Sequence, residues 1–590
     1  MINKAYHIDV FIKYPLLLLL GCLFSFTVVS QKEKLTLEVV YDIQAKWLNR
    51  IDFKKHPRDK IELNTELNAI IIKLQKKSYF SASVDSLWEK NEKRIAHIHV
   101  GKRLNWARLA KGNIEEEILS KTGYRDKIYN QKRFKDRQFG RFIESILQYY
   151  ENNGYPFVSL QLDSIDYVEK KGIEATLKLT KYKYVEVDTI EVYGDYLVSE
   201  KFLYNYLAIK PHKPYNESNI SSITKRIQDL SFIGEQSPPK VIFTEDHTAL
   251  QLFLNKKRAS RFDGVIGLLQ EEETGIVQFT GDVELSLTNA FKRGELIGLN
   301  WRGLPNNTQD LRINFNFPYL FNTPFGIDLA FQLYKRDTTF LDIISEFGIQ
   351  YFMNSTDYLK VIYENHSSNL LSTSSYEGGN VLPPELDFTT NYYGAEINLN
   401  KLDYSLNPTK GFKITLNAKA GFKEIKINGN LEDSLYNEVD LNQVVFKGQF
   451  YGGYYFSIVP RHVIYLGNQS AYINNPQILR NELFRIGGLK TLRGFDEESI
   501  FVSLYSIGTL EYRFILDKNS NLNLFGDFAY TEQKLYNSEV IIDTPYGFGV
   551  GTTFQTNAGL FSLSYAVGSR RDNPVDFRAA KIHFGFLNYF

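Results

Sequence analysis

The spacing of apolar and polar positions changes character near residue 258. Before that point, stretches with apolar residues at helical spacing are interleaved with short alternating strands. After it, strand follows strand and no long helix is predicted. Phe142, Ile143, Ile146, Leu147 and Tyr150 mark one amphipathic helix. The segment from Tyr79 to Ser86 recurs loosely as Tyr155 to Ser164. Each copy follows an amphipathic helix and precedes another alternating strand, Ile95 to Val100 or Ala175 to Leu179. A third unit opens on Val185, Val187, Ile190 and Val192 and passes through Gly194. It continues through helices near 199–208 and 218–230 into strands near 240–243 and 250–254. The repeat predicts three β-α-α-β-β units of roughly 75 residues, at 31–104, 105–182 and 183–257.

From Ser260 to the end sixteen strands are predicted, the first near 262–269 and the last at 581–590. Ile582, Phe584, Phe586 and Phe590 fall on one face of the last strand, and Lys581, His583 and Gly585 on the other. Val502, Leu504, Leu510, Tyr512 and Phe514 likewise oppose Glu511 and Arg513. Apolar-out, polar-in alternation over about 10 residues is the signature of a transmembrane barrel. Such a barrel has to close, because lipid satisfies no open strand edge. Links after even strands are short, such as 517–520 and 556–558. Links after odd strands are long, including about 365–387, 421–443 and 468–501. With N-terminal units in the periplasm, the long links face outside.

Composition narrows the choice. Lys+Arg 69 against Asp+Glu 68 leaves a net charge of +1, which argues against a nucleic-acid binder. Aromatics reach 15%, with 39 Tyr and 43 Phe, while mean hydropathy is slightly negative. Aromatic richness without long apolar runs excludes a bundle of transmembrane helices and suits a barrel. The sole cysteine, Cys22, excludes a disulfide framework and a cysteine zinc site. It sits in an apolar run from Tyr14 to Val29 preceded by Lys4 and Lys13, a predicted signal peptide at 1–30. Val28 and Ser30 place cleavage between Ser30 and Gln31. The competing reading is a lipoprotein acylated at Cys22 in Leu19-Leu20-Gly21-Cys22, but the apolar run continues past the cysteine.

The three N-terminal units resemble polypeptide-transport-associated (POTRA) domains, most closely in Val192-Tyr193-Gly194-Asp195 and in Leu207 to Pro211 leading to Tyr215. Before the twelfth strand stand Phe484-Arg485-Ile486-Gly487-Gly488 and then Leu492-Arg493-Gly494-Phe495. This resembles the Arg-Gly-aromatic motif in the sixth extracellular loop of the BamA/TamA outer-membrane assembly superfamily, the bacterial surface antigen family. Asp403 to Gly411 resembles the family's turn before strand nine. His583, Gly585 and the terminal Phe590 resemble its C-terminal insertion signal, with Asn588 where an apolar residue is preferred. If the loop folds into the lumen, Arg493 needs an acceptor there. Asp527 points inward by parity with Leu522, Leu524 and Phe528, and Glu511 is the alternative. Phe495 is expected beside the pair. Gly547, Gly549 and Gly551 share one face of a strand, leaving room for a close backbone or loop neighbour.

No His-Glu-x-x-His, Gly-x-Ser-x-Gly or phosphate-loop pattern occurs, so neither catalytic residues, metal nor cofactor are expected. The expected architecture is α+β POTRA repeats followed by a 16-stranded antiparallel transmembrane β-barrel at 258–590. The resemblance implies an outer-membrane protein of a Gram-negative cell with periplasmic POTRA modules. It would insert or export unfolded client proteins without ATP, through a seam between the first and last strands. Gly264 and Gly267 weaken that first strand. The modules could hold a periplasmic or inner-membrane partner by strand addition. Three modules and this length look more like TamA than a longer BamA. Two alternatives stay open: a two-partner secretion pore for one dedicated client, which usually carries two such modules, and a passive porin or receptor barrel.

Overall fold

The structure is a computed structural model describing residues 36–90, 93–169, 171–270, 277–304, 308–374, 376, 381–404, 406–556, 559–571 and 575–587. The expected signal peptide with Cys22, Ser30 and Gln31 lies outside the described residues, as do Asn588 and Phe590. The chain divides between Tyr184 and Val185 into two compact units.

The first unit holds two α+β modules. In the first, β1 (Thr36–Tyr41) runs parallel to β3 (Lys93–His99), which pairs antiparallel with β2 (Ser83–Lys90), giving the order β1-β3-β2. Helix α1 (Lys60–Gln75) is started by Asp59, whose carboxylate accepts the Glu62 amide at 2.7 Å. Leu63, Leu67, Ile70 and Leu74 recur every three or four residues and are buried. The expected pair of helices is corrected here. Ahead of α1 there is only a 3-10 turn at Leu48–Arg50, in a segment where Leu48 and Ile51 are buried three residues apart and most other positions are exposed. In the second module β4 (Asn105–Ala110) lies parallel to β7 (Gly172–Thr180), in the order β5-β4-β7-β6 with β5 (Lys132–Arg133) and β6 (Ser159–Val168). Two short helices, α2 (Glu116–Lys121) and α3 (Asp126–Tyr129), precede the long α4 (Asp136–Glu151). Phe142, Ile146 and Tyr150 of α4 are buried in one cluster with Trp106 and Tyr129.

The second unit opens with the third module. Here β8 (Glu186–Val187) and β9 (Thr189–Tyr193) precede α5 (Glu200–Tyr206), β10 (Lys213–Pro214), α6 (Glu217–Ser221) and α7 (Ile223–Asp229). The strands β11 (Ile233–Phe243) and β12 (Thr248–Lys256) follow, and the sheet order is β11-β12-β9. Ser199 and Asn216 cap α5 and α6 by accepting the amides of Phe202 and Asn219.

One antiparallel sheet then runs to the end. Its strands are β13 (Arg261–Gln270), β14 (Val277–Thr288), β15 (Leu296–Leu304), β16 (Thr308–Phe317), β17 (Phe325–Arg336), β18 (Phe340–Phe352), β19 (Tyr358–Leu370) and β20 (Phe388–Asn400). They continue with β21 (Gly411–Ile425), β22 (Asn442–Val459) and β23 (His462–Asn474). A separate hairpin, β24 (Phe484–Ile486) with β25 (Ile500–Val502), lies in the link that follows. The sheet resumes with β26 (Leu504–Ile515), β27 (Asn521–Gln533), β28 (Ile541–Asp543), β29 (Tyr546–Thr556), β30 (Gly559–Ser569) and β31 (Lys581–Leu587). Among the described residues the sheet thus has seventeen strands, where sixteen are expected from the sequence. The addition is β28: β29 pairs with β27 only from Asn521 to Phe528, and β28 takes up the far end from Thr531 to Gln533.

The wall is inverted relative to a soluble protein. Along β19, Leu359, Val361 and Tyr363 are exposed while Lys360, Glu364, His366 and Ser368 are buried. Val361 is 69% exposed and Glu364 4%. Exposed aliphatic and aromatic residues around a buried polar interior belong to a barrel immersed in lipid. The third module packs on the short-link end of this barrel. The Ser199 amide donates to the Lys292 carbonyl at 2.7 Å, and the Ser355 hydroxyl to the Tyr206 carbonyl at 2.7 Å. Phe202 lies edge-on to Tyr319 at 5.7 Å and fills the space over Gly294, where a Cβ would stand 2.0 Å from its ring.

Candidate functional site

The 475–503 link between β23 and β26 folds against lumenal side chains of the barrel wall. Its center is Arg493. The guanidinium donates through Nε and Nη2 to the two oxygens of Asp527, each at 2.7 Å, and through Nη1 to Glu511 at 3.1 Å. The Arg493 amide also donates to Asp527, at 3.2 Å, and the Thr509 hydroxyl donates at 2.8 Å. Asp527 therefore accepts four hydrogen bonds with a side chain 1% exposed. This is a buried two-pronged pair of the strongest hydrogen-bonded kind. Both sequence-derived acceptors, Asp527 and Glu511, are used together. The aromatic residue under the guanidinium is Phe525, 3.5 Å from the ring center. Phe495, expected beside the Arg493–Asp527 pair, lies over Gly568, in the ladder row that holds Gly547 and Asp527. Arg513 donates to the other oxygen of Glu511 at 2.7 Å, so the cluster balances two arginines against two carboxylates.

Glycines form the floor. Antiparallel pairing sets Asp527 opposite Gly547, and Gly547 opposite Gly568. A Cβ on Gly547 would lie 2.0 Å from the Arg493 carbonyl, and one on Gly568 would lie 2.7 Å from the Gly494 carbonyl. Gly494 itself has φ +93° and its Cβ would fall 2.7 Å from the Gly568 amide. Only glycine serves at a left-handed position pressed backbone to backbone. A Cβ on Gly549 would meet the Tyr565 carbonyl at 2.1 Å and the Phe525 ring at 2.9 Å, and one on Gly551 the Asn523 side chain at 2.7 Å. Of the β29 row, Gly547 meets the loop backbone, whereas Gly549 and Gly551 meet the neighbouring strands β27 and β30.

Three further anchors were not legible in the sequence. Glu498 accepts from Arg302 of β15 at 2.6 Å and Arg312 of β16 at 3.1 Å, and Arg485 lies 3.4 Å away. Asp310, fully buried, bridges the same two arginines. Glu482 pairs at 2.5 Å with Lys423 of β21, and both side chains are at most 1% exposed. Asp496 pairs at 2.7 Å with Lys581 of β31. One signal was available: Arg302, Asp310 and Arg312 have inward parity on neighbouring strands and need an acid, and Asp496-Glu497-Glu498 follows Phe495 directly.

The remaining sequence-derived positions lie at the ends of the sheet. Gly264 pairs with Val283 and Gly267 with Thr280, both toward β14. His583 pairs with Ser564 and Gly585 with Ser562, both toward β30. The His583 Nε2 is buried without a hydrogen-bond partner. Among the described residues no ladder pair joins β13 to β31, although their Cα atoms come within 8 Å. The pairing expected to close the barrel is therefore not among the described pairs. No group of three or more metal-ligating side chains occurs among the described residues.

The Omp85 superfamily domain matches residues 289–586. The outer membrane protein assembly factor BamA of Neisseria meningitidis serogroup B is 20% identical over 450 residues, covering 69% of this chain and 52% of that protein. The chain thus spans about half the length of the curated relative it matches. Among solved structures, BamA from Haemophilus ducreyi lacking POTRA domains 1–3 aligns with a TM-score of 0.40 at 14% identity, covering 81% of this chain and 99% of that one. CdiB from Acinetobacter baumannii aligns with a TM-score of 0.49 at 12% identity, covering 93% and 99%. The family domain spans half of the chain and takes in both the Arg493 loop and the strands that receive it, so the chain belongs to the Omp85 superfamily.

Proposed function

We propose that the protein inserts or translocates other polypeptides at the outer membrane of a Gram-negative cell, with its α+β modules in the periplasm. The observation that carries this reading is that, among the described residues, no ladder pair joins β13 to β31. A lipid-facing wall with unpaired backbone donors and acceptors is costly, and such an edge recruits another strand. A client strand placed there gains its hydrogen bonds while its apolar side chains enter lipid, so folding of the client supplies the driving force and no nucleotide is needed.

Two features support the reading. In the lumen Lys360, Glu364, Lys419 and Lys423 are each less than 10% exposed and held in ion pairs, which favours a packed interior over an open pore. Among the described residues the modules also have strands that end their sheets without a further partner. β2 ends its sheet with all of its residues exposed, and β6 ends the next. Such edges suit capture of an extended chain or of a periplasmic or inner-membrane partner by strand addition.

Depletion followed by profiling of the outer-membrane proteome tests the proposal. Loss of many barrel proteins is the expected result. Loss of one exported protein alone would assign a dedicated secretion pore instead, and an unchanged proteome with altered solute uptake would assign a porin.

A further inference from the structure

Among the described residues no ladder pair joins β13 to β31, so side-chain contacts have to hold the two ends of the wall together. Asp496 and Glu498, two residues apart in the docked link, answer on opposite sides. Asp496 holds Lys581 on β31, the last strand. Glu498 holds Arg302 on β15 and Arg312 on β16, the third and fourth strands. Between them Glu497 turns back on its own loop, accepting the Leu489 amide at 3.1 Å. We propose that this Asp496–Glu498 segment is a strap across the β13–β31 seam, with Glu498 as its fixed anchor and the Asp496–Lys581 pair as its catch. The inference rests on the reading of that seam as the route for clients.

The two ends are unequal. Lys581 and Asp496 are 36% and 70% exposed and make a single contact. Exposed single pairs of this kind contribute little and exchange readily with water. Glu498 is 21% exposed, faces three arginines, and sits at φ +53°. A non-glycine residue pays to adopt that left-handed backbone, and strain of this kind persists where surrounding contacts over-determine it. Admitting one client strand separates the seam by about 4.8 Å, the spacing of neighbouring strands. Three residues tethered at both ends by 2.6–2.7 Å contacts cannot absorb that distance. The weaker contact opens first, so Asp496 releases Lys581 while Glu498 keeps the loop on β15 and β16. Asp496, Glu498 and Lys581 act here as positioning residues.

The test measures the seam directly. Nitroxide labels at Phe262→Cys and Phe584→Cys, in a Cys22→Ser background, report its width by pulsed dipolar spectroscopy on the purified protein in lipid nanodiscs. Lys581→Glu is expected to raise the share of molecules widened by about 5 Å several-fold. The charge swap Asp496→Lys with Lys581→Glu restores the native width, which a purely structural lesion would not do. Asp496→Asn keeps the shape and removes the charge, and it widens the seam even if Lys581→Glu fails to fold. Unchanged widths in Asp496→Asn, or no recovery in the swap, overturn the strap. Client insertion is scored on the same samples. A widened seam with unaltered insertion leaves the strap standing and refutes the seam as the client route.

Discussion

Arg493→Ala tests whether the lumenal pair holds the loop or merely decorates it. The substitution strands Asp527, whose side chain is 1% exposed, and leaves Glu511 with Arg513 as its remaining partner. It also removes the cation from the Phe525 ring. Breaking one side of a buried pair costs about 3–5 kcal/mol. The barrel ladder is untouched, so the cost falls on the equilibrium between docked and released loop, shifting it by roughly two to three and a half orders of magnitude. Limited trypsinolysis at Lys490, read beside heat-modifiable gel mobility, separates loop release from unfolding. Cleavage should accelerate while the folded band persists. Arg493→Lys retains a charge but no planar fork, and it should fall between wild type and Ala. The double variant Arg493→Ala/Asp527→Ala should be less impaired than the sum of its singles, with a coupling of about 1–3 kcal/mol for groups in direct contact. Wild-type protection and wild-type activity in both single variants would refute the pairing as the anchor.

Three other outcomes follow from the same geometry. Gly547→Val inserts side-chain atoms where the Arg493 carbonyl lies, so it should release the loop as Arg493→Ala does with Arg493 intact; unchanged trypsin protection at Lys490 would count against the glycine floor. A disulfide engineered between 262–269 and 581–590 should stop client insertion when oxidised and restore it on reduction; insertion at the normal rate by fully oxidised protein would favour passage through the lumen. In the 401–410 link, burial raises the Asp403 carboxyl, but the Thr409 hydroxyl and the amides of Lys410, Thr409 and Tyr404 outweigh it and hold the group below its ordinary value. The stability this lends the turn is present above about pH 3.9 and is lost as pH falls through the depressed value. Amide exchange at Thr409 and Lys410, corrected for intrinsic rate, should therefore lose protection on acidification, and Asp403→Asn should remove that dependence.

What the sequence determined by itself was whatever depends on neighbours along the chain. Alternation in a strand has a period of two, so the inward direction of Asp527 and Glu511 and the outward one of Leu522, Leu524 and Phe528 were legible without coordinates. So were the α4 stripe of Phe142, Ile146 and Tyr150 and the inward row Gly547, Gly549, Gly551, because each repeats at a local interval. Tertiary structure decided what depends on distance in the chain. Glu498 meets Arg302 across 196 residues and Asp496 meets Lys581, and no local interval encodes which acid a lumenal arginine receives. Which ring lies beneath Arg493 was decided there too: Phe525 of β27 takes that place, and Phe495 lies over Gly568. The extra strand β28 exists because β27 outruns β29, a mismatch set by two strands together. The third module lies in one compact unit with the barrel because Phe202 finds its cover in Tyr319 and Gly294. A buried aromatic is readable from the chain alone, but the surface that buries it is chosen only when distant segments meet.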